Sequence, residues 1–232
     1  MKKIVVISTF LFASFSNPEK NRYDKIFPDE FKSTISFLNK NKVLFRSVAL
    51  KHQQNPELLT AIVSPEVMRY SVISDIIETT ALELLYCDFG TKGADFSIGK
   101  FQIKPSFAES IEFEIHKSHE LNKEYNKICF PKNLSESEQR KLRLKRLKNT
   151  LWQIEYLSAF VAICNKKFED VKFKSTEEKL IFYSTAYNSG FYYTPEKIIQ
   201  KSKLKFYPYG IKYSGTQYPY SDVALFFYNL EK

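Results

Sequence analysis

Apolar residues recur at intervals of three and four positions along most of the chain, which is the spacing of one face of an α-helix. The pattern predicts one or two helices between Phe31 and Leu50. It predicts another helix that begins at Asn55-Pro56, with Asn55 as the N-cap, and runs to about Met68. Pro65 lies inside that pattern, so we expect a kink or an earlier end there.

The same spacing predicts five further helices, two of which open with a Ser-x-x-Glu capping box, at Ser135 and at Ser175. They cover residues 72–87, 107–121, the long pattern from the first capping box to Val161, 175–189 and 222–230. Residues 88–99 and the Tyr-rich stretch 207–220 are predicted as loops. With only six glycines in 232 residues, the sequence indicates a mainly α protein.

Composition and charge narrow the possible partners. The apolar content of 44% predicts a folded core, and a net charge of +9 favours anionic partners. The basic run from Arg140 to Lys148 is interpreted first as a solvated helix face. Cys87, Cys129 and Cys164 allow either one disulfide with a spare thiol or three thiols, and none has metal-ligand spacing. We therefore expect no metal and no cofactor.

The N-terminus indicates export. Met1-Lys2-Lys3, a short apolar run and small residues follow one another in the order of a secretory signal peptide, here residues 1–16. A buried first strand is the alternative. Residues 17–54 are then a linker and a helical extension, and no later segment predicts a membrane span. Export places the protein in the periplasm or cell envelope and argues against nucleic acid as its partner.

Four short segments carry the candidate chemistry. They are LLTAIVSPE, which ends in Glu66, SIGKFQIKP at 97–105, WQIEYLSAF at 152–160 and YSTAYNSG at 183–190. In this order they resemble the motifs of the soluble lytic transglycosylase and goose-type lysozyme family, over roughly residues 55–228. The resemblance implies a lysozyme-like helical domain with a cleft, over residues 55–232. It also implies cleavage of the β-1,4 bond between MurNAc and GlcNAc in peptidoglycan, the expected partner.

The resemblance makes Glu66 the expected catalytic acid. An apolar setting raises the pKa of such a carboxyl group and lets it carry a proton. Glu83 and Glu78 are rivals, because the distance from Glu66 to the SIGKFQIKP segment is longer than is usual in lytic transglycosylases. The alternative without a catalytic role is that Glu66 is an exposed carboxylate at a helix end, paired with Arg69.

The resemblance also supplies four substrate-binding candidates. They are Ser97, Gln102, Tyr187 and Asn188. Tyr187 is expected to bond the catalytic carboxylate, and the amide of Gln102 suits a sugar hydroxyl or N-acetyl group. The alternatives are local backbone bonds for Ser97 and Gln102, and helix-end packing for Tyr187 and Asn188. The tyrosines between 207 and 220 suit sugar stacking and core packing equally, and stay outside the predicted site.

Asp95 is the possible second carboxylate. It would orient a water molecule in a lysozyme, or cap a local turn, which is the commoner use of Asp in a loop. Lys100 and Phe101 replace the Leu and Met of the family, so we expect a different floor of the sugar groove.

Three functions of different classes stay open at this point. The first is a transglycosylase or a goose-type-like muramidase. The second is a non-catalytic wall-binding protein that retains the fold. The third is a basic nucleic-acid-binding protein with residues 142–148 as its patch, which the signal peptide disfavours.

Overall fold

The computed structural model describes residues 22–73 and 79–230. The predicted signal peptide and the rival Glu78 lie outside these residues. The described part is mainly helical, with eleven α-helices, a 3-10 turn at Gly90–Lys92 and one antiparallel pair of strands. The helices are α1 (Tyr23–Ile26), α2 (Pro28–Lys51), α3 (Pro56–Ile73), α4 (Thr79–Phe89), α5 (Pro105–Lys117), α6 (His119–Glu124), α7 (Glu136–Leu147), α8 (Thr150–Lys167), α9 (Thr176–Ser189), α10 (Pro195–Ser202) and α11 (Tyr220–Leu230), and the strands are β1 (Lys205–Tyr207) and β2 (Tyr218–Pro219).

Two predicted helices are each divided by a side-chain cap. The pattern at 107–121 ends with α5, and Ser118 then accepts a hydrogen bond from the Leu121 N–H to begin α6. The long pattern after Ser135 ends with α7, and Asn149 accepts from the Trp152 N–H to begin α8. Ser and Asn compete with a continuing helix because their side chains satisfy the backbone N–H groups of the next one.

The helix α3 is the centre of the fold. Asn55 caps its start as predicted, with its Oδ1 accepting from the Leu58 N–H at 2.6 Å. The helix continues past Pro65 to Ile73, and every side chain from Leu58 to Met68 is buried. Helices α2, α9 and α11 pack around it. A helical stretch that is buried on all sides is expected to be largely apolar, so the one carboxylate between Leu58 and Met68, that of Glu66, needs an explanation.

The predicted N-terminal extension shares its core with the rest of the chain. Tyr23 of α1 contacts the edges of Tyr218 and Phe226, with ring centroids 5.2 and 5.3 Å apart. Phe45 of α2 stacks on Phe101 at 5.8 Å. Helices α1 and α2 therefore cover both the end of the chain and the loop that carries the second motif.

A buried ionic cluster joins the helices on the other side of the core. Arg143 of α7 binds the carboxylate of Glu112 in α5 with both Nε and Nη2. Tyr156 of α8 also donates to Glu112, and Tyr86 of α4 contacts both Arg143 and Glu109. The interpretation of 140–148 as a solvated face is therefore wrong for Arg143, which is buried because it neutralises a buried carboxylate.

The three cysteines are free thiols, and burial raises the pKa of each. Among the residues described, no three His, Cys, Asp or Glu side chains are grouped so that they could hold a metal ion. Within 22–73 and 79–230, no helix has the length and hydropathy needed to cross a membrane.

Candidate functional site

A cavity of about 630 Å³ opens beside the C-terminal half of α3. Its walls come from α3, the loop before α5, the start of α5 and the end of α9 together with the residues that follow it. Six residues predicted from the motifs line it together: Glu66, Asp95, Ser97, Gln102, Tyr187 and Asn188. The fold thus brings three separated motifs to one place, with Arg69, Phe107 and Tyr192 completing the lining.

The rival Glu83 does not take part in this cavity. It lies on α4, where its carboxylate pairs with Lys148 at 2.7 Å. Glu66 is therefore the candidate glutamate that borders the same cavity as the predicted substrate-binding residues in the described part of the chain. The third candidate, Glu78, lies outside the described residues.

Glu66 is buried in the cavity wall, with 3% of its surface exposed. Burial raises the pKa of its carboxyl group, and the positive charge of Arg69 opposes that rise without cancelling it. Its Oε2 lies 2.7 Å from Arg69 Nη2 without hydrogen-bond geometry. The alternative of a surface carboxylate paired with Arg69 is right about the pair. It is wrong about the position, because the carboxylate is neither exposed nor at a helix end. A carboxyl group with a raised pKa can carry a proton and give it up.

Two tyrosines hold the turn of α3 that carries Glu66. Tyr220 donates to the Ile62 carbonyl and Tyr207 donates to the Pro65 carbonyl, both at 3.1 Å. Pro65 has no N–H to donate to the Ala61 carbonyl, so this stretch of α3 lacks one helical hydrogen bond, and the two tyrosines add bonds to neighbouring carbonyls. Both tyrosines lie outside the predicted site. Tyr207 ends β1 and Tyr220 begins α11, and nothing in the sequence separates them from the other tyrosines of the 207–220 stretch.

The hydroxyl of Tyr220 also acts on Glu66. A hydrogen bond from this hydroxyl lowers the pKa of the Glu66 carboxyl group. Tyr220 has one hydroxyl proton and two acceptors, the Ile62 carbonyl and the Glu66 carboxylate. The proton can therefore turn towards Glu66 when that group is ionised and towards Ile62 when it is protonated.

Tyr187 does not bond the carboxylate as predicted. Its hydroxyl donates to the Phe101 carbonyl at 2.9 Å instead, because the loop before α5 passes directly over the end of α9. The pKa of Tyr187 is raised by burial and by the nearby negative charge of Glu66. Tyr187 thus lines the cavity and holds the Gln102 loop, and Tyr220 is the tyrosine whose hydroxyl lowers the pKa of the Glu66 carboxyl group.

The loop at Gly99–Gln102 is a tight turn closed by two backbone hydrogen bonds between Ile98 and Ile103. Gly99 and Gln102 both have left-handed backbones, with φ of 65° and 51°. A Cβ on Gly99 would lie 2.0 Å from Nε2 of Gln153. That buried amide donates to the carbonyls of Ile98 and Leu147, at 3.0 and 2.7 Å. Gln153, from the third motif, therefore anchors the turn to α8 and has no contact with the cavity lining.

Gln102 lies on the cavity wall with one end of its amide engaged. Its Nε2 donates to the Gly99 carbonyl at 2.9 Å, which is the local bond expected by the alternative. This bond orients the amide, and the oxygen Oε1 is the end that suits a ligand hydroxyl. Phe101 packs into the core between Phe37 and Phe45, so the prediction that it alters the groove floor is wrong. The ammonium of Lys100 lies over the Tyr70 ring, 3.9 Å from its centroid.

Asp95 caps α5. Its two oxygens accept from the backbone N–H and the hydroxyl of Ser106, at 3.0 and 2.8 Å. Since Ser106 is in the first turn of α5, the carboxylate also meets the positive end of that helix. Its side chain borders the cavity as well, so Asp95 both caps α5 and lies where it could contact a molecule bound in the cavity.

Ser97 and Asn188 reach the cavity from two different elements. Ser97 is half-buried in the loop before the turn, and Asn188 is exposed in the last turn of α9. The helix ends at Gly190, whose φ of 113° suits glycine as predicted. Asn188 also borders a second cavity of about 130 Å³.

Comparisons of the chain with protein-family models, with curated proteins and with solved structures give no match. What the cavity offers chemically is one buried carboxyl group with a raised pKa, surrounded by amide, hydroxyl and aromatic groups.

Proposed function

We propose that the protein is an exported lytic transglycosylase that cuts peptidoglycan glycan strands between MurNAc and GlcNAc, with Glu66 as its catalytic carboxyl group. The observation that carries the proposal is the burial of Glu66, with a raised pKa, on a cavity lined by Gln102, Tyr187 and Asn188. A net charge of +9 suits an anionic cell wall.

The proposed reaction needs one carboxyl group used twice. Protonated Glu66 gives its proton to the glycosidic oxygen as the bond from that oxygen to C1 of MurNAc breaks. The carboxylate that results then takes the proton of the 6-hydroxyl of the same MurNAc, whose oxygen bonds to C1. The products are a 1,6-anhydro sugar and a new GlcNAc 4-hydroxyl, and Glu66 ends protonated as it began.

The neighbours of Glu66 suit both halves of this cycle. Burial favours the protonated form that starts the reaction, and the charge of Arg69 with the hydroxyl of Tyr220 favours the ionised form between the steps. Gln102 and Asn188 would bind hydroxyl and N-acetyl groups, and Tyr192 offers an exposed ring for a sugar face.

A goose-type-like muramidase is the second candidate. It is favoured by Asp95, which borders the same cavity and could orient a water molecule for hydrolysis. The bonds from Ser106 to both Asp95 oxygens support the transglycosylase over the muramidase. A wall-binding protein without activity is favoured by the Arg69 pair, which would hold Glu66 ionised.

The test is digestion of purified sacculi, with mass spectrometry of the soluble products. Release of 1,6-anhydro-muropeptides supports the transglycosylase, and reducing ends support the muramidase. Glu66→Gln should abolish release, while Glu83→Gln is the matched control and should retain it, because Glu83 lies away from the cavity on Lys148. Binding to sacculi without release of any product would support the wall-binding protein. Full activity of Glu66→Gln would refute the role of Glu66.

A further inference from the structure

The segment from Lys201 to Tyr213, called here the 201–213 segment, is unusually basic and unusually exposed. It contains four lysines and no acidic residue. Five of its large apolar or aromatic side chains are also exposed: Leu204, Phe206, Tyr209, Ile211 and Tyr213. Apolar side chains concentrated on a surface in this way, with cations between them, indicate a binding surface for an anionic and partly apolar group.

This segment forms one wall of the second cavity. Leu204, Phe206 and Ile211 supply the apolar side, and Lys201 supplies a cation at its rim. The lining also includes Thr185, Ser189, Ser202 and Ser221, whose hydroxyl groups donate to backbone carbonyls and can accept from a ligand N–H. Such a cavity suits a small group that has a methyl face, hydrogen-bonding amides and a negative charge.

The second cavity adjoins the cavity that Glu66 borders. Asn188 and Ser189 border both cavities. Tyr207 and Tyr220 line the second cavity and hold the turn of α3 next to Glu66. A group bound there would therefore be attached to, or lie beside, the sugar at the catalytic carboxyl group.

We propose that the second cavity, with the 201–213 segment, binds the peptide branch of the substrate, so that the protein prefers glycan strands that carry peptides to bare strands. This inference rests on the proposed function. The branch of a peptidoglycan strand has alanyl methyl groups, amides and carboxylates, which match the three kinds of lining. A volume of about 130 Å³ equals about four water molecules, which fits one small residue and not a further sugar ring.

An anionic membrane is the other occupant that a basic and aromatic surface could have. The cavity favours the peptide, because a flat lipid surface needs no pocket lined with hydroxyl groups next to the cavity of Glu66. Vesicle binding is therefore included in the test as an outcome against the proposal.

The test compares peptide-bearing glycan strands with strands stripped of peptide by an amidase. Binding of both is measured in the E66Q background, where the strands are not consumed, and cleavage is measured in the wild-type background. The test variant is Lys201→Gln with Ile211→Ser. The matched control is Lys123→Gln with Val43→Ser, because Val43 is as exposed as Ile211, at 77% against 76%, and lies on α2.

We expect tighter binding of peptide-bearing strands, with that preference reduced about tenfold in the test variant and unchanged in the control. Binding of bare strands should change by less than about twofold. Equal binding of the two strand types by the E66Q protein would overturn the proposal, as would equal losses on both in the test variant. Loss of binding to anionic phosphatidylglycerol vesicles, with strand preference intact, would assign the segment to a membrane. Preferential binding without cleavage by the wild type would refute the proposed activity and leave the peptide site supported.

Discussion

The carboxylate of Glu66 lies 2.7 Å from the guanidinium of Arg69, one turn further along α3, and both side chains border the same cavity. The pair is almost sealed from solvent on the side of Glu66. Burial of the carboxylate costs more than the ion pair returns, because the pKa of Glu66 remains above its ordinary value. Ionisation of Glu66 therefore lowers the free energy of unfolding of the protein.

The raised pKa of Glu66 predicts how the free energy of unfolding depends on pH. The raised pKa of Glu66 means that its ionisation destabilises the folded protein as pH rises from the ordinary value of 4.5 through the folded value. Glu66→Gln cannot ionise. We expect its free energy of unfolding, relative to the wild type, to increase with pH across that window, by about 1.4 kcal/mol for each pH unit between the two pKa values. Urea unfolding from about pH 4 to about pH 8 measures this trend.

The glutamine and the protonated glutamate can differ in stability by a constant, so the slope with pH is the informative quantity. A relative stability that falls as pH rises would mean that the charge of Arg69 outweighs burial and that the folded pKa of Glu66 lies below its ordinary value.

Tyr220→Phe should alter the acid without breaking the fold. Removing the hydroxyl that lowers the pKa of Glu66 should move the alkaline limb of the pH profile of kcat/KM to higher pH. Tyr207→Phe is the matched control, because its hydroxyl donates to the neighbouring Pro65 carbonyl and not to Glu66. Each variant leaves one buried carbonyl without this donor and should lose about 1–2 kcal/mol of stability. A shift of the pH profile in Tyr207→Phe alone would contradict the assignment.

Gly99→Ala should show how tightly the turn is anchored. Gly99 and Gly210 both have positive φ, so alanine strains the backbone at each by about 1 kcal/mol. At Gly99 the new methyl group also collides with the Gln153 amide, whereas nothing lies within 4 Å at Gly210. We expect a loss of about 2–4 kcal/mol for Gly99→Ala and about 1 kcal/mol for Gly210→Ala in urea unfolding.

The same substitution should reduce sacculus digestion, because it displaces the turn that places Gln102 on the cavity wall. A loss of stability and activity of equal size in the two glycine variants would show that Gln153 does not anchor the loop.

Glu112→Gln should be the most costly of the Glu→Gln substitutions proposed here. It leaves the buried guanidinium of Arg143 with the partly exposed carboxylate of Glu109 as its charged partner, for which we expect a loss of about 3 kcal/mol, the lower end of the cost of breaking a buried pair. Glu136→Gln removes an exposed carboxylate from Arg140 and should cost at most about 1 kcal/mol. Urea unfolding of the two variants compares them directly, and similar losses would mean that the cluster is open to water.

Local patterns in the sequence predicted the parts of the site that depend on neighbours in the chain. The apolar run before Glu66 required a buried helix, and Asn55-Pro56 supplied its start. Gly99 and Gly190 marked turns that only a left-handed backbone can make. The fold brings the six residues predicted from the sequence to one cavity.

The parts that sequence did not predict depend on contacts between distant elements. The direction of the Tyr187 hydroxyl follows from the position of the Phe101 carbonyl, which lies in another segment. Phe101 is buried because α2 covers it, and Arg143 is buried because Glu112 faces it from α5. Tyr220 and Tyr207 act on α3 from 158 and 142 residues away, a distance over which periodicity carries no information.

The aromatic contacts of Tyr23 with Tyr218 and Phe226 have a consequence for synthesis. During translation, α1 and α2 leave the ribosome before α11 and β2, which supply the aromatic partners of Tyr23. The apolar face of α1 therefore stays uncovered until those later residues are made, whereas α2 can pack on α3 earlier. Closure of the core requires contacts between residues that are far apart in the chain, and it therefore comes late. Nascent chains that stall before α11 lack Tyr220 and cannot complete the turn of α3 that holds Glu66.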